Sequence, residues 1–226
     1  ATGGTTGSAA NAIYSNSTGN SAVTVSDNNI YNWTANGVLF SAIGDGATIQ
    51  NNSFYNNYAT PVISTQTAIR LMGGGNGHNV SGNFIGGQSP NAAGSPWANG
   101  ASAVFTGIYL VSGDVTASEI SGNTIQNISL TGTGAAGFMG IYASGLVNVG
   151  STTGNVIGHA TTPNSIQIVN AATGAITGIS VPSGTANISN NLVANIATSS
   201  ASANSIFKGI TSGGTSSIQN NTVQSI

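Results

Sequence analysis

The sequence contains no cysteine and almost no charge. Of 226 residues, two are Lys or Arg and four are Asp or Glu, which gives a net charge of −2. The absence of cysteine excludes disulfide bonds, thiol nucleophiles and cysteine metal sites. Arg70 and Lys208 are too few cations to neutralise a phosphate backbone, so we expect no nucleic-acid partner. The solvated surface must therefore be built from amides, hydroxyls and backbone.

Long hydrophobic runs are also missing. No window approaches the roughly 18 uninterrupted apolar residues of a membrane span, so we predict no membrane insertion. Hydrophobic residues nevertheless make up 39% of the chain, which is enough for a core, and Ile, Val and Phe recur at spaced positions. We predict one ordered domain over residues 1–226.

One short pattern occurs seven times along the chain. It consists of an apolar residue, then Ser, Gln or Thr, then Asp, Asn or Gly, then Asn, any residue, and a second apolar residue. The seven segments are 25–30, 49–54, 80–85, 120–125, 152–157, 188–193 and 218–223. Thr152 is the one first-position residue that is not apolar. The fourth position is always asparagine: Asn28, Asn52, Asn83, Asn123, Asn155, Asn191 and Asn221.

The third position of this pattern gives it a structural meaning. It is occupied by residues that tolerate a left-handed backbone, namely Asp27, Asn51, Gly82, Gly122, Gly154, Asn190 and Asn220. The pattern predicts a strand, a bend at the third position, an asparagine at a fixed place, and a second strand.

A second motif precedes each asparagine turn at a nearly constant distance. Its members are 12–14, 37–39, 68–70, 107–109, 140–142, 178–180 and 209–211, mostly with the sequence Gly-Ile-x. The variable stretch runs from each asparagine turn to the next such strand. Three of these stretches contain a further apolar run, at 62–63, 104–105 and 166–168, which predicts a third strand.

Short strands that recur with the same asparagine after the same strand indicate an all-β fold, a single-stranded parallel β-helix of about seven coils. An antiparallel sandwich would show two-residue hairpin signals instead. In a β-helix, equivalent residues stack about 4.8 Å apart. The asparagines are then predicted to form a ladder in which each amide hydrogen-bonds the next.

These repeats resemble the right-handed parallel β-helix proteins, the pectate-lyase-like solenoids with asparagine ladders. The resemblance covers residues 12–226 and implies a right-handed coil. Gly/Ser/Thr/Asn-rich solenoids of this kind are similar to the repeat regions of secreted bacterial surface proteins, adhesins and filament subunits. An extracellular or cell-surface location is what the resemblance implies.

The acidic residues do not form the cluster that an enzyme of this family uses with Ca²⁺. Asp27, Asp45, Asp114 and Glu119 fall at different places in the repeat, and only Asp114 and Glu119 share a coil. We therefore expect no catalytic residues, no metal and no cofactor; weak cation binding by Asp114 and Glu119 with backbone carbonyls is the less favoured alternative. His78 and His159 lack partners at ligand spacing, and we interpret each as a solvated or turn-packing imidazole.

The residue after each Gly-Ile pair is predicted to face outward. Down the stack this position is Tyr14, Leu39, Arg70, Tyr109, Tyr142, Ser180 and Thr211. Tyr14, Arg70, Tyr109 and Tyr142 could bind a glycan or another surface ligand, whereas the alternative is aromatic pairing that stabilises the sheet.

The predicted function is a non-enzymatic structural protein, an extracellular fibre, stalk or adhesin shaft. Neither end shows a cap, so we expect a segment of a longer solenoid or a subunit that stacks end to end. Its partners would be further copies or flanking coils of the same protein. The alternative is a carbohydrate-binding or polysaccharide-cleaving β-helix, a lyase or hydrolase, that uses the Tyr/Arg face.

Overall fold

The computed structural model describes residues 8–132, 134, 136–169, 174–199 and 206–225. Every regular element in these ranges is a β-strand, and neighbouring strands pair in parallel. Among the same residues there is no helix long and apolar enough to cross a membrane. The prediction of an all-β parallel fold is confirmed.

The strands follow a repeating order along the chain. Repeats 1 to 3 contain β1 Asn11–Ser17, β2 Thr24–Ser26, β3 Asn29–Tyr31; β4 Asn36–Ile43, β5 Thr48–Gln50, β6 Ser53–Tyr55; and β7 Thr67–Leu71, β8 Asn79–Ser81, β9 Phe84–Ile85, β10 Trp97–Asn99. Repeats 4 and 5 contain β11 Val104–Val111, β12 Ser118–Ser121, β13 Thr124–Ile125, β14 Ile128–Leu130; and β15 Gly137–Val149, β16 Val156–Gly158, β17 Ile166–Ile168. Repeats 6 and 7 contain β18 Ile176–Val181, β19 Gly184–Ser189, β20 Leu192–Ala194, β21 Ile196–Thr198; and β22 Phe207–Ser212, β23 Thr215–Gln219, β24 Thr222–Gln224.

Equivalent strands of successive repeats lie side by side. Sheet A contains the first strand of each repeat, and β10, β14, β17 and β21 form sheet D. Sheet B contains the second strand and sheet C the third in every repeat except the fifth, where β16 lies in sheet C. The long strand β15 belongs to both sheet A and sheet B and joins them. The arrangement is solenoid-like, because the chain passes through the sheets in the same order each time.

The core is built from rows of stacked apolar residues. In sheet A, Val38 pairs with Ile69, and Ile69 continues to Ile108, Ile141 and Ile179. Sheet C stacks Phe54 on Ile85, and sheet B stacks Val80 on Ile120 in the same manner. These side chains are fully buried, so each repeat covers the apolar face of the next one.

The Gly-Ile motif has a steric reason. A Cβ added at Gly140 would lie 2.5 Å from the Gly178 carbonyl oxygen and 2.9 Å from Ile157 Cγ2. Gly37, Gly107, Gly178 and Gly209 face the opposite side of the core in the same way. Only a very small residue fits at this position of sheet A, and the two equivalent positions that lack glycine hold alanine, Ala12 and Ala68.

The asparagine turns adopt the expected backbone in six of the seven repeats. Their third-position residues have φ between 56° and 64°: Asp27, Asn51, Gly82, Gly122, Asn190 and Asn220. Repeat 5 is different. In its turn the positive φ belongs to Gly150, at 84°, and not to the predicted Gly154, and the register partner of Ile120 is Val149. The assignment of Thr152 to the apolar position was wrong, because repeat 5 has a longer turn.

The asparagines at the fourth position hydrogen-bond to one another from repeat to repeat. The backbone N–H and the side-chain amide of Asn83 both donate to Asn123 Oδ1, at 3.0 and 2.9 Å. Asn123 donates in the same two ways to Asn155 Oδ1, at 3.0 and 2.9 Å. The Asn123 amide also donates to the Val80 carbonyl at 2.8 Å. This buried polar row is therefore internally satisfied.

The prediction of a third strand is confirmed in one of three places. Ile166–Ile168 is β17 of sheet D. Residues 104–105 are instead the beginning of β11 in sheet A, so that prediction was wrong. Val62 forms only an isolated bridge to Asn99, and Ile63 is exposed. An apolar run alone therefore does not show whether a segment belongs to sheet D or to sheet A.

Candidate functional site

The outward row of sheet A lies in register, as the spacing of its residues requires. Tyr14 pairs with Leu39, Leu39 with Arg70, Arg70 with Tyr109, and Tyr109 with Tyr142. Ser180 and Thr211 continue the row, and the Thr211 hydroxyl donates to Ser180 Oγ at 3.1 Å. The structure thus places seven residues from distant parts of the sequence on one line.

Arg70, Tyr109 and Tyr142 form a compact stack within this row. The rings of Tyr109 and Tyr142 are parallel within 3°, with their centroids 4.5 Å apart. The Arg70 guanidinium carbon lies 5.2 Å from the Tyr109 ring centroid, which is within cation–π range. Tyr109 therefore has Tyr142 on one side and Arg70 on the other, and it offers no free face for a sugar ring.

Tyr142 and Tyr14 differ from Tyr109 in their surroundings. Burial raises the pKa of the Tyr142 phenol above its ordinary value, and the adjacent Tyr109 raises it further. The next residue in the row, Ser180, has no ring to stack on Tyr142. Tyr14 is 55% exposed and is separated from Arg70 by Leu39; the Ser41 hydroxyl donates to its phenolic oxygen at 3.2 Å. The four predicted ligand residues thus form one group of three and one separate tyrosine.

A second tyrosine pair was missed by the sequence reasoning. Tyr31 and Tyr55 are partners on sheet C, and their rings stack with centroids 4.9 Å apart and planes 7° apart. Both follow the second apolar position of the asparagine pattern, so the repeat frame contained the signal. Parallel ring stacking is therefore a common feature of tyrosines that occupy equivalent positions in successive repeats.

The acidic residues lie apart and make local contacts. Asp45 accepts hydrogen bonds from the backbone N–H and the side-chain amide of Asn76, at 2.7 and 3.2 Å, which lower the pKa of its carboxyl group. Both carboxylate oxygens of Glu119 accept from the Ser151 hydroxyl, at 3.0 and 2.8 Å. Within the described ranges, no three acidic or histidine side chains come together as metal ligands would.

The two histidines occupy different environments. His159 Nδ1 accepts hydrogen bonds from the backbone N–H groups of Thr161 and Thr162, at 3.1 and 2.8 Å, and so caps a turn. His78 is buried, and its Nδ1 accepts from the Ala47 N–H at 3.2 Å, while its Nε2 has no hydrogen-bond partner among the residues that the structure describes. The expectation of a solvated or turn-packing ring describes His159 but misses the burial of His78.

The burial of His78 predicts a loss of stability at mildly acidic pH. Burial lowers the pKa of His78 below its ordinary value, and the nearby Asp45 charge offsets this only in part. Below about pH 6.5 the unfolded chain binds a proton that the folded chain does not, so stability is present above that pH and is lost as pH falls. Urea midpoints measured at pH 7.5 and 5.0 should fall less for His78→Gln than for wild type. His159→Gln is the control, and its urea midpoint should fall as much as that of the wild type. An equal fall of the midpoint in all three proteins would contradict this prediction.

Comparison with known proteins finds no matching family model, no matching curated protein and no matching solved structure. The residues described above therefore carry the functional inference.

Proposed function

We propose that the chain is a right-handed, single-stranded parallel β-helix of about seven coils with an asparagine ladder, and that it acts as a non-enzymatic structural element. In this proposal it forms part of an extracellular fibre, stalk or adhesin shaft of a secreted bacterial protein. The in-register rows and the hydrogen bonds between successive asparagines support the coil geometry. The resemblance to pectate-lyase-like solenoids supports the handedness and the location.

The observation that carries the proposal is the continuation of the apolar rows from one repeat to the next, up to repeat 7. Ile218 and Val223 are 50% and 43% exposed, whereas their partners in repeat 6, Ile188 and Val193, are buried. Val223 points inward, since a Cβ at Gly209 would lie 2.5 Å from its Cγ1. A further repeat stacked on this face would remove both side chains from water.

The asparagine row has a direction that favours head-to-tail stacking. Each asparagine donates to the oxygen of the next repeat, from Asn28 to Asn52 and finally from Asn191 to Asn221. Among the described residues, Asn28 Oδ1 accepts no hydrogen bond, and the backbone N–H of Asn221 donates none. Acceptor and donor would therefore meet if repeat 1 of a second copy followed repeat 7. Flanking repeats of the same protein would meet this face in the same way.

The scarcity of charge also supports a stacking role. A charge at a stacked position meets its equivalent in the next repeat about 4.8 Å away, and like charges directly opposite one another are destabilising. Asparagine, serine and threonine at the same positions meet a hydrogen-bond partner. A chain with six charged residues can extend by stacking without accumulating repulsion.

Light scattering after size-exclusion chromatography tests the proposed self-association. The mass of the wild-type chain should increase with concentration, and Ile218→Lys should abolish the increase because it places a charge on the stacking face. Ile63→Lys is the matched control, because Ile63 is an exposed isoleucine in a loop away from that face. A wild-type mass that stays constant at all concentrations contradicts self-association.

The second candidate function is carbohydrate binding or cleavage through Tyr14, Arg70, Tyr109 and Tyr142. The stack of Arg70, Tyr109 and Tyr142 on an outward sheet face favours it, although ring pairing already uses both sides of Tyr109. Glycan-array binding and polysaccharide depolymerisation by wild type, Tyr109→Ala and Tyr142→Ala test this alternative. An activity of the wild type that both variants lose would favour the carbohydrate function over the structural one.

A further inference from the structure

Repeat 5 departs from the others at the turn between sheets B and C. Two residues separate Ile120 from Asn123 in repeat 4, whereas five residues, 150–154, separate Val149 from Asn155. The strands on both sides keep their register, since Val149 pairs with Ile188 and Val156 with Leu192. The three additional residues therefore form a local loop without disturbing the stack.

This loop borders a shallow, open cleft on the outer face of sheet B, which is lined by Asn, Ser, Thr, Glu and Gly residues. The cleft has a volume of about 550 Å³. Its lining includes Asn79, Ser81, Glu119, Ser121, Thr152 and Thr153. Repeats 3 and 4 supply the first four of these residues, and the loop supplies the two threonines. A departure from an otherwise regular repeat commonly marks a functional site, because such a site breaks the pattern that stacking favours.

Glu119 connects the loop to the cleft. The Ser151 hydroxyl donates to both of its carboxylate oxygens, and the Thr152 N–H lies 3.4 Å from Oε1. In sheet B, the register partners of Glu119 are Asn79 and Asn148, so the carboxylate is not opposed by a second charge. It therefore remains a fixed acceptor at the side of the cleft.

Other polar groups in the cleft are free to bind a ligand. The side chains of Asn79, Ser81, Ser121 and Thr153 make no hydrogen bond within the described part of the chain. A side-chain amide offers two donors and an acceptor, and each hydroxyl offers one donor and two acceptor sites. Together with the Glu119 carboxylate, these groups match the donors and acceptors of sugar hydroxyls.

The charge and size of the cleft define the ligand class. No Lys or Arg lines it, and its one charge is negative, which disfavours phosphate, sulfate and uronic acids. No aromatic ring lines it either, so binding would depend on hydrogen bonds instead of ring stacking. Its volume lies within the usual range of ligand clefts, about 300–1,000 Å³. We propose that this cleft binds a short segment of a neutral polysaccharide.

Isothermal titration calorimetry of the full chain with neutral tetrasaccharides tests the proposal. The probes are cellotetraose, xylotetraose, mannotetraose and maltotetraose, with tetragalacturonate as the anionic comparison. At least one neutral probe should bind, and tetragalacturonate should not. Glu119→Gln and Asn79→Ala should each weaken binding at least tenfold while the melting temperature stays within a few degrees of wild type. Thr24→Val, a change in the same outward row outside the cleft, should leave the affinity unchanged.

Three outcomes would overturn this inference. The first is that no neutral probe binds at millimolar concentration, and the second is that both cleft variants keep the wild-type affinity. The third is that Tyr142→Ala loses affinity while Glu119→Gln keeps the wild-type affinity. The last outcome would place the ligand on sheet A instead. Self-association of the chain is measured separately, so failure here leaves the proposed structural function standing.

Discussion

Replacing Asn123 with leucine should lower the free energy of unfolding by about 3–5 kcal/mol, because several buried groups lose their partners together. Asn123 Oδ1 accepts from the backbone and side chain of Asn83, and its amide donates to Val80, Ser121 and Asn155. Leucine has a similar size but can neither donate nor accept. For a chain of this length, the melting temperature should fall by roughly 10 °C, which thermal unfolding followed by circular dichroism measures directly.

Asn148→Leu is the matched control for this prediction. Asn148 lies on the outward face of β15, between Glu119 and Asn187, and its side chain makes no hydrogen bond within the described residues. The same substitution there should change the melting temperature by only a few degrees. If Asn123→Leu and Asn148→Leu were equally stable, the buried asparagine row would not hold the repeats together.

Gly140→Val should also destabilise the chain strongly, by about 3 kcal/mol or more, because it overpacks a backbone contact. The new Cβ would lie 2.5 Å from the Gly178 carbonyl oxygen, and the branched side chain would press against Ile157 in sheet C. The carbonyl belongs to the neighbouring repeat and cannot move without disturbing the sheet A pairing. Urea denaturation should show a markedly lower midpoint.

Gly100→Val separates this steric effect from a general effect of replacing glycine. The nearest atom to a Cβ at Gly100 is Ile63 Cγ2 at 3.5 Å, which is an ordinary contact, and Gly100 is not among the glycines with positive φ. Its substitution should be close to neutral. Equal losses at Gly100 and Gly140 would show that the close contact of Gly140 with Gly178 and Ile157 does not require a small residue.

The sequence predicted the features that repeat in every turn of the chain. A residue that tolerates φ > 0 followed by asparagine requires a bend and a fixed amide, and six of the seven turns have the expected backbone. The Gly-Ile pair identified sheet A, although its steric reason became clear only from the contact between Gly140 and Ile157. A repeated local pattern is predictable because each copy experiences the same neighbours.

Features that occur once were not predictable in this way. Thr152 fitted the asparagine pattern only because the loop of repeat 5 happens to end like the other turns, and the pairing of Val149 corrects the assignment. Spacing alone also could not show that Ser151 folds back onto Glu119. Such contacts depend on the path of a single loop, for which the other repeats provide no precedent.

The candidate site also combines features that follow from the repeat with features that do not. The in-register position of Arg70, Tyr109 and Tyr142 follows from the repeat and was predicted. Aromatic pairing was one of the two alternatives that the sequence left open, but the parallel geometry of the two rings depends on side-chain rotamers and was not predicted. His78 was also missed, because a lone histidine in a glycine-rich stretch carries no signal of burial.

Negative-stain electron microscopy over a series of protein concentrations tests the proposed structural role most directly. Seven repeats rise by roughly 34 Å at about 4.8 Å each, so a single chain is short, and any longer particle must contain stacked copies. The structural account predicts unbranched filaments that lengthen with concentration in the wild type and are absent in Ile218→Lys. Particles of single-chain length at every concentration would contradict it.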